Sequence, residues 1–198
     1  MWQSVLRAIE SDPDSVKSIS AITSPQHGGS LALDENVTLP AYSDTMDVHL
    51  MPGNYQGGHS QGAEAGVVYD NGLDVFSFGV MGKNLDDIGH SMANFTRLKW
   101  PDLSPELIVD VGCTIGHNTL PWKQAFPEAE VHGLDAASPC LQYGHARAEA
   151  MGIPIQFKQA LCDALPYRDN SADVVFSSMF LHELPTELIR AFFKEAHR

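Results

Sequence analysis

The stretch from Leu107 to Gly116 most constrains how this chain can fold. Its first five residues, Leu-Ile-Val-Asp-Val, form a short apolar run with one acid near the end, a pattern typical of a strand buried on both faces of a parallel sheet. Gly112 and Gly116 then bracket a tight turn, where a missing side chain lets the backbone turn sharply or lets a ligand approach. Ligands bind at the carboxyl ends of strands in open α/β sheets. The stretch therefore predicts a nucleotide or nucleoside site.

The spacing of the glycines distinguishes several kinds of nucleotide site. A P-loop ends in Gly-Lys-Ser or Gly-Lys-Thr, and this loop does not. A dinucleotide fingerprint has a second glycine two residues after the first, where this chain has Thr114. A buried strand followed by an ordinary turn, with no ligand, is the simplest alternative.

Composition limits the partners and the compartment. The 198 residues are 43% hydrophobic, which suffices for one domain with an extension. The formal net charge of −13 argues against nucleic acid or an anionic membrane surface as the main partner. Three widely separated cysteines fit a reducing compartment. No apolar stretch is long enough to span a bilayer and no signal segment is visible, so we expect a cytoplasmic protein without stable membrane insertion.

A second acid stands at the spacing that nucleoside sites use. Glu130–Asp135 is predicted to be the next strand, and its terminal Asp135 lies 19 residues after Gly116. Nucleoside-binding folds place a carboxylate at about this distance, where it accepts hydrogen bonds from the ribose hydroxyls. The alternative is that Asp135 caps the next helix, predicted from Ser138 to Met151.

Two further strands complete the predicted sheet. Ile153–Phe157 is expected as a third strand of edge type, and Ala172–Ser178 as a fourth. Right-handed crossovers give the strand order third, second, first, fourth. The predicted fold class is thus α/β, a Rossmann-like doubly wound parallel sheet.

The chain before residue 84 is predicted to be a partly irregular extension, with the core at residues 84–198. Helical spacing predicts a first helix near Trp2–Ile9, and a second that Asn84 caps and Pro101 ends. Much of residues 11–66 reads as loop, with a possible strand at Asp47–Leu50. The extension is expected to cap the ligand, so Tyr69 or the nearby His90 could contact substrate.

Two sequence motifs resemble one known family. The Asp110-x-Gly-x-x-x-Gly loop resembles the first motif of class I S-adenosylmethionine-dependent methyltransferases, with Thr114 in place of its middle glycine. The run Asp163–Tyr167, a polar turn and Ser171–Val175 are similar to the type 11 methyltransferases, the ubiquinone/menaquinone-biosynthesis group that acts on small molecules. The resemblance covers residues 107–198. It implies S-adenosylmethionine as the cofactor and methyl transfer to a small-molecule acceptor.

The resemblance also implies a role for each motif residue. Asp110 would anchor the methionine amino group of the cofactor, Asp135 the ribose and Asp163 the adenine. His182, after the fourth strand, is the candidate catalytic base, with a structural hydrogen bond as its alternative. No metal site is predicted, because the other eight histidines show no metal-ligand spacing. The remaining residues expected at the cofactor are Gly112, Cys113, Gly116, Ala136, Cys162, Ala164 and Ser178.

The family's later strands have no counterpart before Arg198, which implies a truncated chain holding the first half of the core. The fourth strand would then be an unpaired, aggregation-prone edge. A module that binds the cofactor without turnover is the alternative function. A nicotinamide oxidoreductase is the third possibility, disfavoured by Thr114 and by Asp163–Pro166. Neither the methyl acceptor nor the oligomeric state follows from the sequence.

Overall fold

A computed structural model describes residues 1–12, 14, 26–45, 48–56 and 63–198 of the chain. The described part contains five strands: β1 (Ser30–Ala32), β2 (Leu107–Val111), β3 (Glu130–Asp135), β4 (Gln156–Gln159) and β5 (Val174–Phe176). They form one sheet in the order β1-β4-β3-β2-β5, and every pairing is parallel. The predicted α/β class and the order third, second, first, fourth are confirmed, with β1 as an added neighbour.

Helices flank the sheet and separate most of its consecutive strands along the chain. They are α1 (Trp2–Glu10), α2 (Tyr42–Thr45), α3 (Glu64–Phe76), α4 (Asp87–Lys99), α5 (Leu120–Ala125), α6 (Ser138–Ala150) and α7 (Thr186–His197), with short 3-10 turns at Asn54–Gln56 and Leu181–Glu183. Among these helices, none has the length and apolarity that crossing a membrane requires.

The central strand β2 is covered on both faces, which is why its sequence is a continuous apolar run. Ile108 faces one cluster, where the rings of Trp122 and Phe176 stack with their centroids 4.4 Å apart. Val109 faces the other cluster, which includes Phe192 of α7. Successive side chains of a strand point to opposite faces, so Asp110 shares the face of Ile108, where it is buried with 1% of its surface exposed.

The strand that the sequence predicted as an edge is an interior strand. Residues 30–32 pair with β4, with Ser30 opposite Gln156 and Ala32 opposite Lys158. The side chains of Ser30 and Gln156 also hydrogen bond to each other. The strand suggested at 47–50 is not seen: 46–47 lie outside the described residues, and 48–50 are bent rather than paired. The strand at residues 30–32 is too short to show a periodicity, so the sequence pattern could not locate it.

Two helices begin elsewhere than predicted. The stretch 57–66 was expected to be soft; residues 57–62 lie outside the described part, but α3 begins at Glu64 and packs on α6, with Gly66 against Tyr143. Helix α4 begins at Asp87, with Asp86 rather than Asn84 at its N-cap. The reason is local: Leu85 has φ of +57°, which interrupts a helix, and Arg147 instead hydrogen bonds to the carbonyl of Asn84.

Candidate functional site

Two adjoining cavities lie at the carboxyl ends of β2, β3 and β5. The first is lined by Asp110, Cys113, Ser178 and His182, among others. The second, smaller cavity is lined by Cys162 and Asp163. The sheet thus brings most of the predicted site residues to one edge. Six residues line both cavities: Pro40, Tyr42, Gly112, Asp135, Ala136 and Phe180.

The loop after β2 is held in a left-handed course. Gly112 has φ of +77° and Thr114 has φ of +52°, a conformation that costs a β-branched residue strain. The amide N–H groups of Gly112 and Cys113 donate to the carbonyl oxygen of Leu134, at 2.8 and 3.0 Å. Gly116 plays a different part: a Cβ there would lie 2.7 Å from the Phe157 ring, so this glycine allows close packing and is not among the residues lining either cavity.

Asp110 is a buried carboxyl group with one oxygen in use. Thr119 Oγ1 donates to its Oδ2 at 2.6 Å, whereas Oδ1 has no partner within the described part of the chain. Burial raises the pKa of Asp110 to about 7, although the hydrogen bond from Thr119 partly opposes the rise. A buried unpaired carboxylate oxygen beside a cavity can accept a hydrogen bond from a cationic ligand group.

Asp135 ends β3 and lines both cavities. Its Oδ2 accepts from the amide of Thr114 and its Oδ1 from the amide of Ala137, each at 2.8 Å. Burial raises the pKa of Asp135, and the amide hydrogen bonds counter it. The helix-cap interpretation is not supported, because Ala137 is itself the N-cap residue of α6 and no side chain caps that helix. A carboxylate has further acceptor positions, so the same side chain can also receive hydroxyl groups.

The remaining predicted residues divide between the cavities and the surface. Asp163 is exposed at the second cavity beside the buried Cys162. Ala164 is exposed and does not line either cavity. Burial raises the pKa of the Cys162 thiol to about 11 and that of Cys113 well above its usual value, so both remain protonated thiols that serve as packing groups.

Phe180 stands where the two cavities meet. A Cβ built on Gly112 would lie 2.3 Å from its Cγ, which means that the phenyl ring rests directly on the glycine backbone. The ring also packs edge-on against Phe192, with centroids 6.4 Å apart. A ligand that spanned both cavities over Gly112 would have to displace this ring.

His182 meets two acid–base groups that sequence reasoning did not assign to the site. Its Nε2 lies 2.9 Å from His49 Nε2 and 3.4 Å from Glu183 Oε1. His49 Nε2 lies 2.8 Å from the same carboxylate oxygen, which also accepts from the Tyr55 hydroxyl at 2.8 Å. Glu183 lies beside His182 in the 3-10 turn before α7. No local signal marked His49, because 133 residues separate it from His182.

Tyr69 and His117 also line the first cavity. The side chain of Tyr69 hydrogen bonds to Thr114. The ring of His117 lies 5.8 Å from that of Tyr69, and its Nδ1 has no partner among described residues. Burial lowers the pKa of His117 to about 3, so the ring is neutral at pH 7. The other residue expected to contact substrate, His90, does not line the cavity and pairs instead with Asp86.

Known proteins resemble the second half of the chain. Residues 108–198 match a family model described as a methyltransferase domain. The chain is 34% identical over 100 residues to the malonyl-[acyl-carrier protein] O-methyltransferase of Xylella fastidiosa (strain M23), covering 49% of this chain and 33% of that protein. It is 38% identical over 72 residues to the demethylmenaquinone methyltransferase of Thermus thermophilus, covering 36% of this chain and 33% of that protein. The chain thus spans about a third of the length of these relatives.

Solved structures show the same fold at low sequence identity. A protein of Methanococcus maripaludis, provisionally assigned as an S-adenosyl-L-methionine-dependent methyltransferase, superposes with a TM-score of 0.55 at 16% identity, over 65% of this chain and 56% of that one. A protein of Pyrococcus horikoshii superposes with a TM-score of 0.50 at 17% identity, over 64% and 59% of the two chains.

Proposed function

We propose that the chain is a class I S-adenosylmethionine-dependent methyltransferase that uses S-adenosylmethionine to methylate a small-molecule acceptor. The match of residues 108–198 to a methyltransferase domain and the relatives named as methyltransferases support this proposal. The acceptor atom is an oxygen or an acidic carbon. One observation carries this proposal: the unpaired Oδ1 of Asp110, the carboxylate of Asp135 and the imidazole of His182 all line one cavity. We also propose that the protein works in a reducing compartment such as the cytoplasm, because its three cysteines are widely separated in the sequence.

The residues present fit the cofactor at three points. The unpaired oxygen of Asp110 suits an ammonium group, because a buried carboxylate is stabilised by a cation that donates to it. Asp135 keeps acceptor positions for a pair of ribose hydroxyls beyond its two amide bonds. Asp163, exposed at the second cavity, suits the amino group of an adenine. Gly112, Cys113, Ala136, Cys162 and Ser178 are proposed to pack around it.

When bound, the cofactor supplies an electrophilic methyl group on a sulfonium sulfur. The chain must hold the acceptor in line with that methyl group and prevent its own side chains from accepting the methyl group. Cys113 and Cys162 remain protonated thiols, which are weak nucleophiles, because burial raises their pKa. His182 is proposed to take the proton that the acceptor loses.

The first cavity has the character of a site for a partly apolar acceptor. Leu73, Phe76 and Met81 contribute apolar wall, whereas His182 and Glu183 lie at its polar end. An apolar cavity with a few converging polar groups is the usual form of a small-molecule site. One of the relatives is named as an O-methyltransferase, which supports an oxygen acceptor among the two classes.

Transfer of label tests the proposal. The chain is incubated with methyl-labelled S-adenosylmethionine and a panel of small carboxylic acids, phenols and enolic carbon acids, and label is counted in the recovered acceptors. We expect transfer to at least one acceptor class, and loss of transfer in Asp135→Ala. Tight binding of S-adenosylhomocysteine by calorimetry with no transfer to any acceptor would favour the module that binds the cofactor without turnover.

A further inference from the structure

Three potential metal ligands from two distant segments converge at the polar end of the first cavity. They are His49, which precedes α3, and His182 and Glu183 in the 3-10 turn before α7. The three donor atoms, Nε2 of each histidine and Oε1 of the glutamate, are 2.8, 2.9 and 3.4 Å apart. This set of side chains is called the His49 triad below.

Hydrogen bonding alone satisfies this arrangement poorly. Each Nε2 carries at most one proton when the imidazoles are neutral, so no choice of tautomers makes all three contacts good hydrogen bonds. If the proton is on Nε2 of His49 and not on that of His182, a single N–H of His49 is shared between His182 Nε2 at 2.9 Å and Glu183 Oε1 at 2.8 Å. The third contact, between His182 and Glu183, then brings two lone pairs to 3.4 Å. A cation at the centre would be shared by all three atoms and would remove that conflict.

The distances fit a divalent transition metal. Such ions bind imidazole nitrogen and carboxylate oxygen at about 2.0–2.2 Å. From the three separations, a point about 2.1 Å from every donor atom exists, roughly 1 Å out of the plane that they define. Two imidazoles and one carboxylate are a donor set typical of Zn²⁺ and of Fe²⁺, Co²⁺ or Ni²⁺.

Neighbouring groups hold the ligands in position, as they do in metal sites generally. The Tyr55 hydroxyl donates to Glu183 Oε1 at 2.8 Å. The Trp2 indole N–H donates to the carbonyl oxygen of His49 at 2.8 Å. The His49 ring packs edge-on against Phe76, with centroids 6.4 Å apart.

We propose that the His49 triad binds one divalent transition-metal ion at the acceptor end of the cavity. Three protein ligands leave coordination positions open, and all three residues line the cavity, so the open positions face the acceptor. The ligand class is an acceptor with an oxygen donor (hydroxyl, enol or carboxylate) at the atom that is methylated or beside it. The metal would lower the pKa of that oxygen.

The role of the metal in the reaction rests on the proposed function, while its binding does not. With the metal in place, His182 Nε2 is a ligand, and the acidified acceptor gives its proton to water. Without it, His182 is free to take the proton directly. Metal binding and methyl transfer can therefore be measured separately.

Metal titration of the chelator-treated full chain tests the proposal. Zn²⁺ is titrated by calorimetry, and Co²⁺ by its visible absorption, which reports coordination geometry. Four variants are compared with the unchanged chain: His49→Ala, His182→Ala, Glu183→Gln and, as a matched control, His90→Ala, whose imidazole lies by Asp86 outside the triad. We expect one ion per chain, an affinity at least tenfold weaker in each triad variant, and no change in His90→Ala.

Two controls keep the result decisive. Binding of S-adenosylhomocysteine, measured in the same samples, identifies any variant that has lost its fold, and Glu183→Asp keeps a carboxylate if Glu183→Gln fails. Zn²⁺ affinity that is equal in the unchanged chain and in folded His182→Ala, or absent from the unchanged chain, overturns the metal site. Specific Zn²⁺ binding by a chain that transfers no methyl group supports the site and counts against the proposed function instead.

Discussion

The hydroxyl of Thr119 donates a hydrogen bond to one oxygen of Asp110, at 2.6 Å, and leaves the other oxygen buried without a partner in the described chain. Under the proposed function, the unpaired oxygen is the acceptor for a cationic group of the ligand. Thr119 fixes the orientation of the carboxyl group, and burial raises the pKa of Asp110 to about 7. A ligand ammonium group would therefore stabilise the ionised form of this carboxylate.

Cofactor affinity should therefore fall as the pH drops through 7. Asp110 is mostly ionised at pH 7.5 and mostly neutral at pH 6, so the affinity for S-adenosylhomocysteine should weaken about eightfold between these values. Calorimetry at both values checks it. Asp110→Asn should bind weakly at both and lose the pH dependence. An unchanged slope in that variant would assign the titration to another group.

The same raised pKa has a consequence for stability. The folded chain holds a proton on Asp110 between pH 4 and pH 7, where the unfolded chain has released it, so this group's contribution to the free energy of unfolding falls as the pH rises through that window. Asp110→Asn should remove this contribution to the pH dependence. Urea melts of both chains at pH 5 and pH 7.5 measure it; parallel curves would contradict the shift.

Asp135 should contribute to cofactor binding beyond its structural role. Asp135→Ala should weaken S-adenosylhomocysteine binding by about 1–3 kcal/mol, the usual loss for a charged hydrogen-bond partner. Because the carboxylate also holds the amides of Thr114 and Ala137, unfolding must be followed in parallel. Asp163→Ala, at an exposed position, should weaken binding with little change in stability. Unchanged binding in Asp135→Ala would make the ribose role wrong.

Thr114 should be strained, because it adopts φ of +52° where the related motif has glycine. Thr114→Gly and Thr114→Ala both remove the hydroxyl that bonds to Tyr69, but only glycine relieves the left-handed backbone. The glycine variant should be the more stable of the two by about 1 kcal/mol. Urea melts compare them directly, and equal stabilities would indicate that the loop relaxes around any side chain.

Phe180 should oppose cofactor binding, since its ring rests on Gly112 between the two cavities. Phe180→Ala should strengthen S-adenosylhomocysteine binding at least about threefold, because the competing position of the ring is removed. Phe193→Ala, at a residue 57% exposed, serves as the control. Weaker binding in Phe180→Ala would mean that the ring forms part of the bound site.

His182 should affect turnover more than affinity. His182→Ala should lower kcat about 100-fold, the scale of a lost general base or of a lost metal ligand, while S-adenosylhomocysteine binds as before. His90→Ala should leave both values unchanged, since His90 does not line the cavity. An equal loss of kcat and of cofactor affinity would place His182 at the cofactor instead.

The sequence by itself determined the centre of the sheet and the glycine loop that follows its central strand. The apolar run at Leu107–Val111, the glycines that follow and Asp135 at nucleoside spacing are local signals, because each reflects the backbone of one strand and one turn. They sufficed for the order of four of the five strands, and most of the site residues predicted from them line the two cavities.

Only the tertiary structure decided what the distant segments contribute. Residues 30–32 join the sheet beside β4, and His49 meets His182 and Glu183, although neither segment has a periodicity or a motif of its own. Hydrophobic pattern encodes which face of an element is buried, but not which remote segment pairs with an edge or supplies a side chain to a cavity. Those contacts join residues more than 120 positions apart in the chain, so only the three-dimensional structure identifies them.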